Sequence, residues 1–279
     1  MSSTPAIYLH FAHANGFPSG TYRKLFAALP ANYNVLAIEK FGHSRQFPVS
    51  NNWPNQADEM NHFIDSQLDD NHKVFAIGHS FGAVVSYLAC CRNPQRFAGL
   101  IMLDPPLATG IGRHIAAVLK RTPLIDKFSP AGLAKTRNRR WHKSVDLVDY
   151  FAGKGLFRGV DRDCIADYVN SVIDLHNDEQ VLNFDPNIEA ELFRTVPHNL
   201  HKYTGHLACP ATIVTGDKTD VCVPFLRRAF IRQNKLSHVV TPGGHLFPLE
   251  DPLSTAKLIV SLIEEQTANQ SDLPSIKQA

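Results

Sequence analysis

The sequence lacks an excess of charge of either sign and has few cysteines. Its 279 residues contain 28 lysines and arginines and 26 aspartates and glutamates, for a formal net charge of +2. This balance argues against a dedicated nucleic-acid or membrane-surface protein, because such proteins usually carry a large basic excess. The five cysteines include the adjacent pair Cys90 and Cys91, and this odd number does not suggest a disulfide framework. We therefore expect a cytoplasmic protein.

Sequence signals of several other protein classes are also absent. Residues 1–5 are uncharged and a strand is predicted directly after them, so we expect no signal peptide. The longest uncharged stretch, 74–91, contains Gly78 and Gly82 and favours a turn over a membrane span. No Cys-x-x-Cys, His-Glu-x-x-His or Gly-x-x-x-x-Gly-Lys pattern occurs, which argues against a zinc site and a phosphate-binding loop. We expect a soluble protein with no metal, no cofactor and no nucleic-acid partner.

Short apolar runs alternate with amphipathic stretches of helical length along most of the chain. This alternation is typical of an α/β fold in which a mostly parallel sheet carries helices on both faces. The spacing predicts about six strands, at 7–12, 34–39, 74–78, 99–103, 211–215 and 239–241. It predicts helices at 20–29, 55–70, 81–92, 224–233 and 252–266.

The alternation stops between residues 107 and 205, where helix-like segments occur but no convincing strand. A break of this length inside an α/β pattern predicts an inserted helical cap. The core then comprises 1–106 and 206–270, and 271–279 is a frayed tail.

Charge is strongly partitioned within the predicted cap. Residues 113–143 carry nine basic residues and one acid, whereas 144–191 carry three basic residues and eleven acids. We expect the two halves to pair with each other. The alternative is that Arg137, Arg139 and Arg140 attract an anionic substrate.

The pentapeptide 78–82 has the pattern Gly-x-Ser-x-Gly and lies between a predicted strand and a predicted helix. Two glycines at this turn allow a tight bend that exposes the Ser80 hydroxyl at the carboxyl edge of the sheet. The start of the following helix offers backbone N–H groups that favour negative charge. Ser80 is therefore the predicted nucleophile.

A serine nucleophile needs a base, and the base needs an acid to orient it. His245 follows the last predicted strand after two glycines, so it is the predicted base. In the loop after the strand 211–215, Asp220 is the preferred acid because it lies deeper in that loop than Asp217. Asp217 is the first alternative, and Asp104, at the end of another strand, is the second.

These motifs together resemble the α/β-hydrolases with a serine nucleophile and a helical cap, over residues 6–266. The stretch 10–18 is similar to the oxyanion loop of that family, and 41–44 is similar to its next glycine-containing loop. Ser80, Asp220 and His245 follow one another in the family's order. Two strands that commonly precede the oxyanion loop have no counterpart, so the resemblance implies six strands and not eight. The oxyanion loop also contains His-Ala-Asn-Gly where His-Gly is usual.

The resemblance implies a site and an activity. The oxyanion donors are the backbone N–H groups of Phe81 and Asn15, with Ala14, Gly16 or Phe17 as alternatives to Asn15. The implied activity is hydrolysis of a carboxylic ester of a small molecule, without a cofactor. The alternatives are C–C bond hydrolysis, thioester or amide hydrolysis and elimination of a small acid at the same site; the least favoured is a binding protein without catalysis. The oligomeric state does not follow from the sequence.

Overall fold

The computed structural model of the chain describes residues 5–122 and 124–271. Within this part, the strands are β1 (Ile7–Ala12), β2 (Tyr33–Leu36), β3 (Val74–His79), β4 (Phe97–Leu103), β5 (Arg140–His142), β6 (Ile173–His176), β7 (Glu179–Leu182), β8 (Ala211–Gly216) and β9 (Ser237–Thr241). The predicted tail, 271–279, lies outside the described residues apart from position 271.

The helices of the described residues surround the larger sheet and fill the segment between β4 and β8. They are α1 (Arg23–Ala27), α2 (Pro54–Gln67), α3 (Phe81–Arg92), α4 (Gly112–Leu119), α5 (Ile125–Phe128), α6 (Ala131–Lys135), α7 (Leu147–Ala152), α8 (Arg162–Val172), α9 (Pro186–Arg194), α10 (Pro224–Asn234), α11 (Phe247–Glu250) and α12 (Pro252–Ser271). Short 3₁₀ turns occur at Ser19–Tyr22, Pro94–Arg96, Gly155–Phe157 and Leu200–Tyr203.

A six-stranded parallel sheet in the order β2-β1-β3-β4-β8-β9 forms the centre of the fold. Every residue of β3 is buried, as expected for a strand covered on both faces. Along β3, Phe75 and Ile77 point to the core that α12 covers, whereas Val74 and Ala76 point to the core under α2 and α3. This two-residue alternation is what places helices on both faces. The predicted fold class is therefore confirmed.

Parallel pairing brings the ends of β1, β3, β4, β8 and β9 to one edge of the sheet. In the register, Ala12 lies beside Gly78, His79 beside Leu103, and Gly216 beside Thr241. The loops that follow these strands therefore meet at the carboxyl edge, where ligands bind in open α/β sheets.

The segment between β4 and β8 contains strands as well as helices, so the prediction that it has no strand is wrong. β5, β7 and β6 form a three-stranded antiparallel sheet, with a turn at Asn177, which has a positive φ of 53°. These strands are only three or four residues long and largely exposed, and therefore carry no apolar alternation. The cap boundaries 107 and 205 stay a prediction.

The two oppositely charged halves of this segment contact each other. Arg140 pairs with Glu179, and Lys143 pairs with Asp178 across the small sheet. Arg137 lies 3.4 Å from Glu189 of α9. The expected pairing between the basic and acidic halves is confirmed.

Candidate active site

Ser80 lies in the sharp turn that joins β3 to α3. Its backbone has φ 54° and ψ −117°, a strained conformation for a residue other than glycine. A Cβ on Gly78 would collide with the Gly82 carbonyl group, and one on Gly82 would collide with the Ala12 carbonyl group. Both glycines are therefore needed for the turn to form, and the serine side chain remains partly exposed above the sheet.

His245 lies next to Ser80, in the loop after β9. Its Nε2 atom is 3.0 Å from Ser80 Oγ, a distance at which the hydroxyl donates to the ring. Two carboxylates shape this loop: Asp217 accepts from the Gly243 N–H, and Glu250 accepts from the Gly244 N–H. Asp217 therefore holds the backbone of the histidine loop and not the imidazole.

The acid that contacts His245 is Asp104 and not the preferred Asp220. His245 Nδ1 lies 2.6 Å from Asp104 Oδ2, whereas Asp220 is exposed and makes no hydrogen bond or ion pair with any described residue. Asp104 directly follows β4, the neighbour of β3, and its N–H donates to Val214 of β8. The loop after β8 contributes a hydroxyl instead, since Thr219 Oγ1 donates to Asp104 Oδ2 at 2.5 Å.

The choice of Asp220 is thus corrected, and the correction has a physical reason. Strand order determines which loop faces the histidine, and β4 lies between β3 and β8 in the sheet. The sequence signal for Asp104 was a carboxylate directly after an apolar strand. Its positive φ of 46° and complete burial distinguish it from Asp220, but both are visible only in the structure.

A buried network that sequence reasoning missed joins three loops of the site. His79 Nε2 donates to the His245 carbonyl oxygen at 2.9 Å, so its Nδ1 accepts from the Tyr22 hydroxyl at 2.7 Å. The Tyr22 oxygen in turn accepts from the Ala14 N–H at 3.2 Å. Burial lowers the pKa of His79 to about 3 and keeps its ring neutral, as this pattern of hydrogen bonds requires.

Hydrogen bonds within the loop after β1 leave few of its N–H groups without a partner. The Ala14 N–H is bound to Tyr22, and the Phe17 N–H donates to the Ala14 carbonyl group at 3.0 Å. Among the described residues, the N–H groups of Asn15, Gly16 and Phe81 have no partner. Phe81 is the first residue of α3, where N–H groups have no partner within the helix.

His13, at the start of the same loop, has a structural role. Its Nδ1 donates to the Ala14 carbonyl group at 2.8 Å, and its Nε2 accepts from the Phe41 N–H at 3.1 Å. Burial lowers the pKa of His13 to about 4, so the ring is neutral. It connects the loop after β1 to the loop after β2.

α9, from the segment between β4 and β8, contacts the loop after β1. The Asn15 side chain donates to the Glu189 carbonyl oxygen at 2.9 Å. The Glu189 carboxylate lies against Gly16, where a Cβ would be 2.5 Å from Oε1. Burial raises the pKa of Glu189, and the nearby charge of Arg137 opposes this effect. Arg137 also donates to the Tyr168 hydroxyl at 3.0 Å, so its guanidinium is held by both Glu189 and Tyr168.

The C-terminal end of α9 accepts hydrogen bonds from Trp53, whose ring packs on Phe81. Trp53 lies edge-on to the Phe81 ring, with 4.7 Å between the ring centroids. Its Nε1 donates to the Leu192 carbonyl oxygen at 3.2 Å and to Thr195 Oγ1 at 3.0 Å. One helix of the insertion therefore contacts Asn15 directly and Phe81 through Trp53.

In the described part of the chain, no group of three or more histidine, cysteine, aspartate or glutamate side chains has the arrangement of a metal site. None of the helices in that part is long and apolar enough to cross a membrane.

The fold and the nucleophile turn define the class of protein. A family model described as the alpha/beta hydrolase family matches residues 11–258, and the chain belongs to this family. Among curated proteins, it is similar to the monoglyceride lipase of Homo sapiens, with 29% identity over 111 residues. That match covers 37% of this chain and 36% of the lipase, so the chain spans about a third of the length of the curated relatives it matches.

Two solved structures show the same fold over nearly the whole chain. The E-2-(acetamidomethylene)succinate hydrolase superposes with a TM-score of 0.74 and 18% identity, covering 94% of this chain and 92% of its own. The peroxisomal alpha-beta-hydrolase Lpx1 from Saccharomyces cerevisiae gives a TM-score of 0.73 and 15% identity, covering 99% and 80%. At these identities, the likeness concerns the fold alone.

Proposed function

We propose that the protein is a serine hydrolase that cleaves carboxylic esters through an acyl-enzyme. Membership of the alpha/beta hydrolase family supports a hydrolase that acts on a small molecule. The observation that carries the proposal is the chain of contacts from Ser80 Oγ to His245 Nε2, 3.0 Å, and from His245 Nδ1 to Asp104 Oδ2, 2.6 Å. A nucleophile, a base and an orienting acid that contact one another in this order are the parts of a hydrolytic triad.

In the proposed first half-reaction, Ser80 Oγ attacks the ester carbonyl carbon while His245 Nε2 accepts the hydroxyl proton. The Asp104 carboxylate accepts from the Nδ1–H of His245, which selects this tautomer and stabilises the imidazolium. The tetrahedral intermediate then expels the alcohol, which takes the proton from Nε2, and Ser80 is left acylated. His245 is therefore first a base and then an acid within this half-reaction.

The second half-reaction returns the enzyme to its starting state. Water attacks the acyl carbon and gives a proton to His245, and the proton returns to Ser80 Oγ as the carboxylic acid leaves. Ser80 and His245 are both only partly buried, which allows substrate and water to reach them. No cofactor is needed for either step.

The proposed oxyanion donors are the backbone N–H groups of Phe81 and Asn15. Both groups lack a partner within the described chain. Phe81 directly follows Ser80, and Asn15 lies in the loop after β1, the strand beside β3. The N–H of Gly16 is the remaining alternative to Asn15, because Ala14 and Phe17 already donate elsewhere. A preorganised donor of this kind contributes about 10²–10³ in rate.

A neutral ester fits the charges near this loop better than an anionic substrate does. Arg137 of the cap is connected to this loop through Glu189, which lies against Gly16. It already pairs with Glu189 and donates to Tyr168. A substrate carboxylate would have to compete with Glu189 for the guanidinium. An anionic substrate is therefore second to a neutral ester, and hydrolysis of a C–C, thioester or amide bond, or elimination of a small acid, stays the alternative reaction at the same triad.

The proposal is tested by labelling the purified protein with a fluorophosphonate and by measuring turnover of a series of p-nitrophenyl esters. We expect wild-type protein to be labelled and Ser80→Ala to be neither labelled nor active. Asp104→Asn should lower kcat by about 10⁴, because the histidine loses the partner that selects its tautomer. Asp220→Asn is the matched control and should retain wild-type kcat.

Two outcomes would contradict the proposal. A wild-type protein that is neither labelled nor active on esters would favour the other bond types or a binding protein without catalysis. Loss of activity in Asp220→Asn together with retention in Asp104→Asn would overturn the assignment of the acid.

A further inference from the structure

Three consecutive residues of the loop after β1 are held by α8 and α9. The Asn15 side chain donates to the Glu189 carbonyl oxygen at 2.9 Å. Gly16 lies so close to the Glu189 carboxylate that a Cβ would be 2.5 Å from Oε1, and its φ of 78° also requires glycine. The Phe17 ring packs on the Tyr168 ring, with 5.5 Å between the centroids. The loop that carries the proposed donor Asn15 is therefore fixed from the segment between β4 and β8.

Arg137 joins the two side chains that hold this loop. Its guanidinium lies 3.4 Å from the Glu189 carboxylate and donates to the Tyr168 hydroxyl at 3.0 Å. The guanidinium carbon lies over the Phe184 ring, 5.3 Å from the centroid. The side chains of Arg137 and Glu189 are only 17% and 7% exposed. A planar guanidinium with several donors is suited to holding two partners at fixed positions inside a protein.

The Glu189 carboxylate carries a charge that needs compensation at this place. Its Oε2 is buried and has no hydrogen-bond partner in the described chain. Lys40 lines the cavity beside Glu189 but lies 3.0 Å from the Glu39 carboxylate, so its charge is already paired. Charges interact strongly where water is excluded. Without Arg137, the carboxylate beside Gly16 would oppose the negative charge that develops on the substrate carbonyl oxygen.

We propose that Arg137 is a positioning residue for the proposed oxyanion donor Asn15. It holds the Glu189 carboxylate against Gly16 and offsets the charge of that carboxylate, and it acts through Glu189 and Tyr168 and not by contact with the substrate. This role differs from attraction of an anionic substrate, which would need a guanidinium free to bind it. The proposal rests on the proposed function, because an oxyanion forms only if Ser80 attacks a carbonyl group.

A double-mutant cycle of Arg137→Met and Glu189→Gln, measured as kcat and KM for a p-nitrophenyl ester, tests the proposal. Arg137→Met should lower kcat about tenfold or more and change KM by less than about threefold, because the oxyanion exists in the transition state and not in the bound ester. In the Glu189→Gln background, the same change should lower kcat about threefold or less, since no carboxylate charge remains to be offset. The main-chain carbonyl group at position 189 still accepts from Asn15 in every variant. Rates are expressed per site that reacts with a fluorophosphonate, so unfolded protein is not counted.

Arg96→Met is the matched control for the loss of a buried arginine. The Arg96 side chain is 5% exposed, lies 3.1 Å from Asp65 and directly precedes β4, at the end of the sheet opposite to Ser80. This variant should lower the thermal unfolding temperature and keep the wild-type kcat.

Arg137→Lys is the conservative variant. Its ammonium keeps the charge but not the planar fork, so kcat should lie between those of the wild type and Arg137→Met. The same variant replaces Arg137→Met in the cycle if Arg137→Met does not fold, with a smaller loss of kcat that Glu189→Gln should again reduce.

An equal loss of kcat in both backgrounds would overturn the proposal, because Arg137 would then act independently of the Glu189 charge. A wild-type kcat in both Arg137 variants would also overturn it, while labelling and turnover of the wild type would leave the proposed function intact. A wild-type protein that is neither labelled nor active would contradict the proposed function and this role with it.

Discussion

At the scale of single residues, the geometry of the site depends on buried polar groups that touch neither substrate nor nucleophile. Tyr22 accepts from the Ala14 N–H and donates to His79, and His79 donates to the carbonyl oxygen of His245. These hydrogen bonds join the loops after β1, β3 and β9. Since a buried donor or acceptor without a partner is costly, the network favours one relative placement of the three loops.

Tyr22→Phe tests this network. The change leaves the Ala14 N–H and His79 Nδ1 without partners, so it should lower the free energy of unfolding by about 1–3 kcal/mol. It should also lower kcat, because Ala14 precedes the proposed oxyanion donor and His79 holds the backbone of His245. Urea unfolding and ester turnover measure the two effects.

The matched control for this prediction is Tyr87→Phe. Tyr87 is equally buried, and its hydroxyl donates to Asn234 at the end of α10. Tyr87→Phe should lower stability and leave kcat unchanged. If the two variants had the same kcat, Tyr22 would have only a structural role.

At the scale of elements, α9 connects the inserted segment to both loops that flank Ser80. Its Glu189 carbonyl group accepts from the Asn15 side chain, and its last turn accepts from Trp53, which packs on Phe81. Asn52 and Trp53 both have positive φ, so the tryptophan is held in an uncommon backbone conformation. We infer that α9 acts as a support for the proposed oxyanion donors and not as a free lid.

Trp53→Phe should lower kcat about tenfold with little change in KM. The variant keeps an aromatic ring but loses the Nε1 donor to Leu192 and Thr195, so the ring no longer has a fixed position against Phe81. A misplaced oxyanion donor affects the transition state more than substrate binding. Steady-state kinetics on a p-nitrophenyl ester separate kcat from KM.

Trp141→Phe provides the comparison. Trp141 is also a buried tryptophan of the described chain, but its Nε1 has no hydrogen-bond partner and its ring packs on Tyr150 and Phe151. This variant should keep the wild-type kcat. An unchanged kcat in Trp53→Phe as well would contradict the support role of α9.

At the scale of the whole molecule, buried histidines make stability depend on pH. Burial lowers the pKa values of His10 and His79 to about 3 and that of His13 to about 4, from an ordinary value of 6.5. The unfolded chain takes up these three protons below pH 6.5, whereas the folded chain does not. The contribution of these three histidines to stability should therefore be complete above pH 6.5 and fall as the pH decreases.

One carboxyl group opposes this trend. Burial raises the pKa of Glu59 from 4.5 to about 7, so between these values the folded state holds a proton that the unfolded state has lost. For these four groups together, the difference between pH 4.5 and 6.5 is about two protons, or roughly 3 kcal/mol of stability per pH unit.

His10→Leu should reduce the slope by about one proton, or roughly 1.4 kcal/mol per pH unit, because it removes one group that takes up a proton only in the unfolded chain. Both ring nitrogens of His10 are buried without a partner in the described chain, so the substitution breaks no hydrogen bond. Urea unfolding at a series of pH values measures the slope, and His176→Leu, at an exposed position, is the control. A slope that is the same in the wild type and His10→Leu would show that His10 does not contribute.

Much of the core could be predicted because the signals are local. The apolar runs predicted all six strands of the large sheet, and the start and end of α3 match the prediction residue for residue. The polar strands β5, β6 and β7 could not be predicted, since short exposed strands have no hydrophobic period and depend on pairing.

The sequence by itself determined the fold class, the turn at Ser80 and the position of His245 directly after the last strand, because glycine spacing and strand ends are properties of neighbouring residues. Only the tertiary structure decided that Asp104 and not Asp220 faces His245, and that Tyr22 joins His79 to Ala14. It also decided that Ile115 and Val118 of α4 are exposed. Asp104 and His245 are 141 positions apart in the chain. Their contact depends on the order of β3, β4 and β8 in the sheet, and strand order is set by packing across the whole core.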